Sequence, residues 1–262
     1  MYRRIVCLTE ETTETLYLLG EEDRIVGISG FTVRPPRARK EKPRVSAFLT
    51  AKIDQILELE PDLVLGFSDL QADIAQDLIR RGIEVMVFNQ RSIAGILRMI
   101  RTVAAMVDRA ADGEALVGRL ERGLAEIRDS ADLLPARPRV YFEEWYDPLI
   151  SGIGWVSQLV EVAGGDDCFP ELARQSLAKG RIIEDPLEVV RRAPELIIGS
   201  WCGRKFRPEK VMARPGWEDV PAVRNRQVHE VKSAIILQPG PAALTEGVQA
   251  IHLLVRDWSD RQ

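Results

Sequence analysis

IDQILELEPDLVLG, beginning at Ile53, and PLEVVRRAPELIIG, beginning at Pro186, align without a gap. The offset is constant, since 186 − 53 and 194 − 61 (the two prolines) both give 133. Each copy reads as a helix of 3.6-residue periodicity, a Pro-acid turn that stops it, and a short apolar run that suits a buried strand. Two such units half a chain apart predict a duplicated, two-lobed protein.

Between the copies lies DGEALVGRLERGLAEIRDSADL, residues 112–133. Leu116, Leu120, Leu124, Ile127 and Ala131 recur every three or four residues and place one apolar stripe along a helix. Asp112 is read as its N-cap, Glu114 sits favourably at the positive end of the dipole, and Pro135 marks the stop. At 1.5 Å per residue such a helix reaches roughly 33 Å, the width of a small domain. The expected organisation is an N-terminal lobe over 1–111, a connecting helix over 112–135 and a C-terminal lobe over 136–262.

The flanking chain alternates in the same way. Strands are expected at Arg4–Leu8, Arg24–Ile28, Leu63–Leu65, Ile83–Phe88, Arg139–Phe142, Leu196–Ile198 and Gln227–Val231. Helices are expected at Thr13–Leu19, Lys52–Glu60, Leu70–Arg81, Ser92–Val107, Val156–Ala163 and Leu187–Arg192, with a last helix opening at Pro241. Phe31–Arg44 reads as a proline-rich basic loop. Strands alternating with helices imply the α/β class: two Rossmann-like lobes with mostly parallel sheets, joined by one long α-helix.

Composition narrows the function. The 262 residues are 45% apolar and 29% charged, ordinary globular values, with a net charge of −4 that argues against nucleic-acid binding. No apolar run is long enough to span a membrane. MYRRIVCLTEE has no apolar leader core, so a cytoplasmic location is expected for the chain as written, and a periplasmic one if a leader preceded it. Cys7, Cys168 and Cys202 are widely spaced and read as free thiols. The two histidines, His229 and His252, have no metal-ligand spacing, so no metal site is expected. No exposed heptad pattern argues for an oligomer.

Ligands of open parallel sheets bind beyond the carboxyl ends of strands. The segments after the strands are Thr9-Glu10-Glu11, Phe31–Arg34, Phe67-Ser68-Asp69, Glu143–Asp147 and Trp201–Lys205, with Phe48 and Trp155 in neighbouring loops. Aromatic residues are only 6% of the chain, yet they collect here. Flat rings with a few polar groups suit a planar, amphipathic ligand. The candidate ligand residues are therefore Glu10, Phe31, Arg34, Phe48, Phe67, Trp145, Tyr146, Asp147, Trp155, Trp201 and Arg204. Arg34 and Arg204 are placed to pair with an anionic group.

RIVCLTEETTETLYLLGEEDRIVGIS, LEPDLVLG and DPLISGIGWVSQLVEVAGGDDCF, in this order, resemble the helical-backbone class of substrate-binding proteins that serve uptake transporters for vitamin B12, siderophores and haem. The last segment is most similar to the B12-binding branch. The resemblance implies a monomeric, non-catalytic binding protein with no intrinsic cofactor, holding a cobalamin-like corrinoid in the cleft between the two lobes for an ABC-type uptake system. It also implies docking on the permease through one acid per lobe. Asp54 matches the first of these; its repeat partner is Leu187, next to the acidic Glu188. Other readings are a cytoplasmic carrier, a binder of another metal chelate, and an enzyme using Cys202 as nucleophile with Glu143 or Glu144 as base.

Overall fold

Five parallel strands carry the first part of the chain in the computed structural model, which describes residues 1–262. They are β1 (Ile5–Cys7), β2 (Ile25–Ser29), β3 (Arg44–Ser46), β4 (Leu63–Phe67) and β5 (Val85–Phe88), ordered β3-β2-β1-β4-β5. The helices are α1 (Glu10–Leu18), α2 (Ala38–Glu41), α3 (Ile53–Glu58), α4 (Ala72–Arg80), α5 (Ile93–Met106) and α6 (Ala110–Asp132). Val6, Leu8, Val45, Ile56, Val64, Ile74 and Leu78 form one apolar cluster between sheet and helices, each contributing about 1.5–3 kcal/mol on full burial.

The second sheet runs β10-β9-β6-β7, built from β6 (Arg139–Tyr146), β7 (Leu149–Ser151), β9 (Leu196–Gly199) and β10 (Val228–Glu230), with the short β8 (Asp166–Asp167) beside the start of β6. All pairs are parallel except β6–β7, a hairpin. Helices α7 (Gly154–Val162), α8 (Pro170–Ala173), α9 (Leu187–Arg192), α10 (Pro208–Met212), α11 (Pro221–Arg224), α12 (Ser233–Ile236) and α13 (Val248–Ser259) complete it. Tyr141, Phe169 and Trp217 lie at its centre, Tyr141 meeting the other two edge-on at 5.5 and 6.2 Å.

The chain divides into two compact units: residues 1–90 with 94–120, and residues 91–93 with 121–262. The boundary falls inside α6, which is thus shared between the units. Its stripe is as the periodicity predicts: Leu116, Leu120, Leu124 and Ala131 are buried and Ile127 is half-buried. The helix starts at Ala110, so Asp112 lies in the first turn and is not the cap. Gly113 lets α6 close on α5, since a Cβ there would stand 2.4 Å from the Ala104 methyl.

Several boundaries differ from expectation. The basic loop contains α2 and ends in β3, an edge strand too short to show a two-residue period. The hairpin strand β7 was not expected. The last helix begins at Val248, after a π-helical turn over Ala243–Gly247, but Leu244, Val248, Ile251, Val255 and Trp258 are buried as the pattern requires.

Candidate functional site

In the second unit β6 and β9 are neighbours whose connections leave in opposite directions, the place where open α/β sheets bind ligands. β6 ends in Glu143-Glu144-Trp145-Tyr146. Its pairing with β7 slips between Glu143 and Trp145, leaving Glu144 as the extra residue of a bulge. Trp145 folds over the turn and donates Nε1–H to Asp147 O at 2.9 Å. β9 ends at Gly199, where a Cβ would stand 1.8 Å from the Phe206 ring; glycine is what lets that ring lie on the strand.

From this base a row of rings is built. Phe206 meets Trp201 edge-on at 4.9 Å, Trp201 meets Tyr146 at 4.6 Å, and Tyr146 meets Trp145 at 5.1 Å. Arg204 lies over the Tyr146 ring at 5.2 Å, a cation–π contact. Trp201 is locked from beneath, its Nε1–H donating to Glu143 Oε1 at 3.0 Å. Glu143 is fully buried and accepts two further bonds from Arg214, at 2.5 and 2.9 Å. Burial works against the Arg214 charge, but the Glu143 carboxylate outweighs it and raises the guanidinium pKa.

Tyr146 and Trp201 floor a cavity of about 300 Å³ rimmed by Arg204, Lys205, Arg207 and Lys210. None of these four cations is held in an ion pair, so their charge is available to an anionic group. Of the second-unit residues expected to touch ligand, the structure brings Trp145, Tyr146, Trp201 and Arg204 together. Asp147 is exposed on the turn, its carbonyl taken by Trp145. Trp155 is corrected: it stands in the first turn of α7 and not in a loop, is buried, and donates Nε1–H to Ile236 O at 2.9 Å. Phe206, Arg207 and Lys210 were missed; the cation–aromatic run WCGRKFRPEK (201–210) was the available signal.

The first unit places its candidates around the ends of β1, β2, β3 and β4. Glu10 opens α1 and is buried, which raises its pKa. Phe31 is exposed and Phe48 half-buried, whereas Phe67 is buried. Arg34 is paired with Glu14 at 2.9 Å. Gln71, not foreseen, ties these ends together: it accepts from Phe67 N–H at 2.9 Å and donates to Phe48 O at 2.9 Å. Where a dinucleotide fold has a glycine-rich turn for phosphate, β1 is followed by Thr9-Glu10-Glu11, which has no glycine to bring the backbone close to a phosphate.

The docking candidates differ. Asp54 on α3 is 92% exposed, with Arg81 at 4.0 Å. Glu188 on α9 is held by Arg191 and Arg192 at 2.8 and 2.9 Å. For the enzyme reading, Glu143 is committed to Arg214 and Trp201, and Glu144 to Arg181 at 2.5 and 3.0 Å, so neither is a free base for the exposed Cys202. His252 is structural, contacting Ala163 O at 2.9 Å and Ser130 Oγ at 3.0 Å. No group of three metal-ligating side chains exists, and no helix is long and apolar enough to cross a membrane.

Comparison with known proteins gives a consistent picture. An ABC transporter substrate-binding lipoprotein of Bacillus subtilis, YvrC, is 24% identical over 95% of this chain and 78% of its own length. A cobalamin-binding protein of Halobacterium salinarum is 26% identical over 91% of this chain and 65% of its own, so the chain spans under two thirds of that relative. The periplasmic heme-binding protein RhuT of Roseiflexus shares the fold, with a TM-score of 0.80 at 24% identity over 97% and 100% of the two chains. The model of the family described as periplasmic binding protein matches residues 5–235. With that match covering most of the chain and the two-sheet fold in agreement, the protein belongs to the periplasmic binding protein family.

Proposed function

We propose that this protein is the binding component of an ABC-type uptake system and holds a cobalamin-like corrinoid. The observation that carries the reading is the half-buried pair Trp145 and Tyr146 at the switch point of the second sheet, backed by the buried Trp201 that lines the cavity with Tyr146, an aromatic wall for a macrocycle. The cobalamin-binding relative supports the ligand class. On the first unit, Phe31 and Phe48 are the proposed contacts, because Phe67 is buried and Arg34 is engaged by Glu14. Asp54 is the proposed permease contact; Glu188 serves only by exchanging its arginines. Binding is stoichiometric, with no turnover, and location follows the transporter outside the cytoplasm.

A specific observation favours haem as a second reading. Arg204, Lys205, Arg207 and Lys210 rim the cavity beside the rings, and cations pair better with the carboxylates of haem than with the amides of a corrinoid. The test is tryptophan-fluorescence titration with cobalamin, cobinamide, haem and a ferric siderophore, repeated on Tyr146→Ala, which keeps every tryptophan reporter. Saturable quenching by a corrinoid, weakened in the variant, supports the first reading. Quenching by haem alone, weakened by Arg204→Ala, supports the second. No quenching by any of them rejects both.

A further inference from the structure

The basic run Arg34–Arg44 sets six cations against one acid, Glu41, and the fold sorts them. Arg34 is taken by Glu14 at 2.9 Å, and Arg37 by Glu22 at 2.5 Å and Glu41 at 3.5 Å. Arg39, Lys42 and Arg44 enter no ion pair. They line one cavity of about 780 Å³ together with Lys52. Lys52 is brought there because the chain doubles back after the edge strand β3: Ala47 N–H donates to Thr50 O at 2.7 Å and Lys52 N–H to Val45 O at 2.8 Å.

Four like charges around one concavity repel one another, and an anion placed among them relieves that repulsion. A second observation points the same way. Ser46 also lines the cavity, and its hydroxyl is buried with no hydrogen-bond partner, although buried hydroxyls are ordinarily paired. We propose that this cavity is a separate binding site for a phosphoryl anion. Guanidinium forks, ammonium groups and the Ser46 and Thr50 hydroxyls together offer more donors than one carboxylate accepts, and they suit the oxygens of phosphate. The site stands on residues of the first unit alone and is independent of the ligand read for the aromatic wall. Its phosphoryl group comes from a soluble phosphate ester or from a phospholipid headgroup.

Calorimetric titration of the full chain with sodium tripolyphosphate, and co-sedimentation with phosphatidylglycerol against phosphatidylcholine vesicles, separate the two sources. The variant Lys42→Ala/Arg44→Ala removes two lining charges, and Lys40→Ala removes one from the same run outside the cavity. Saturable tripolyphosphate binding is expected at low salt, weakened about tenfold or more by the double variant, unchanged by Lys40→Ala, and weaker as salt rises. The same pattern with phosphatidylglycerol vesicles alone assigns the headgroup. Absence of binding to either probe, or equal loss in Lys40→Ala and the double variant, overturns the proposal, since the latter is diffuse charge attraction. Unchanged melting temperatures of the variants exclude misfolding as the cause.

Discussion

Glu60 and Ala193, 133 residues apart, share one left-handed backbone conformation, with φ of 45° and 46°. Ala193 is the C-cap of α9 and Glu60 follows the C-cap of α3, and each precedes a proline, Pro194 or Pro61, that leads into β9 or β4. The proline disfavours the right-handed helical region for the residue before it, so the helix exits through the left-handed one. Both halves solve the turn in the same way, as expected of a duplication.

That conformation costs an L-residue about 1–2 kcal/mol, and glycine escapes the cost while losing more chain entropy on folding. Ala193→Gly is therefore expected to raise stability by about 0.5 kcal/mol, and Ala193→Val to lower it by more than about 1 kcal/mol. Urea unfolding of the three proteins measures this. A destabilised glycine variant would contradict the stated strain.

The second prediction concerns the support of the aromatic wall. Replacing Glu143 alone by Leu leaves the Arg214 guanidinium and the Trp201 N–H without their buried partner. A cost of about 3–5 kcal/mol is expected, because an unpaired buried charge is left behind. Glu143→Leu/Arg214→Met removes both charges and is expected to unfold at higher denaturant than the single variant. In both, Trp201 loses its anchor, so ligand affinity falls even where stability is regained. Equal stability of single and double variants would show that Arg214 finds solvent unaided.

How far the sequence carried depended on periodicity. The helix predicted at Leu187–Arg192 has those limits in the structure, and the 133-residue offset maps β4 onto β9 at their first residues, Leu63 and Leu196. Long amphipathic or fully apolar runs reveal themselves because burial imposes a period. β3, β7 and β8 have two or three residues each and, unlike the equally short β1 and β10, were not marked out by the sequence pattern; they depend on neighbours for their pairing. At the site, clustering of aromatics pointed to Trp145, Tyr146 and Trp201, but one ring in a glycine-rich stretch does not announce its face. Trp155 was misplaced for that reason. The engagement of Glu143, a candidate base in the enzyme reading, is not legible because its partner Arg214 lies 71 residues away.

Thiol chemistry should be confined to one cysteine. Burial pushes the Cys7 and Cys168 thiols up to about 12, so at pH 8 only about one part in ten thousand of either is the reactive thiolate. Cys202 is exposed. A disulfide reagent at pH 8 is expected to modify one thiol per folded chain quickly and three after denaturation, and Cys202→Ser should remove the fast reaction. A second fast thiol would show that one buried cysteine is reached by local opening.

The last prediction follows from Glu11. It is buried, its Oε1 accepts the Thr9 hydroxyl at 2.8 Å, and its Oε2 has no partner. Burial, reinforced by the neighbouring Glu10 charge, lifts its pKa from 4.5 to about 8. Below pH 4.5 both folded and unfolded chains hold the proton, and Glu11 carries no penalty. Between 4.5 and 8 the unfolded chain releases the proton while the folded chain keeps it, so stability falls as pH rises. Above 8 both are ionised and the loss is complete. Glutamine reproduces the neutral acid, with an acceptor for Thr9 and no charge to bury. Glu11→Gln should thus leave the melting temperature nearly unchanged at pH 4.5 and raise it by several degrees at pH 8. An increment independent of pH would mean that Glu11 is ionised in the folded protein throughout, with an internal cation compensating it.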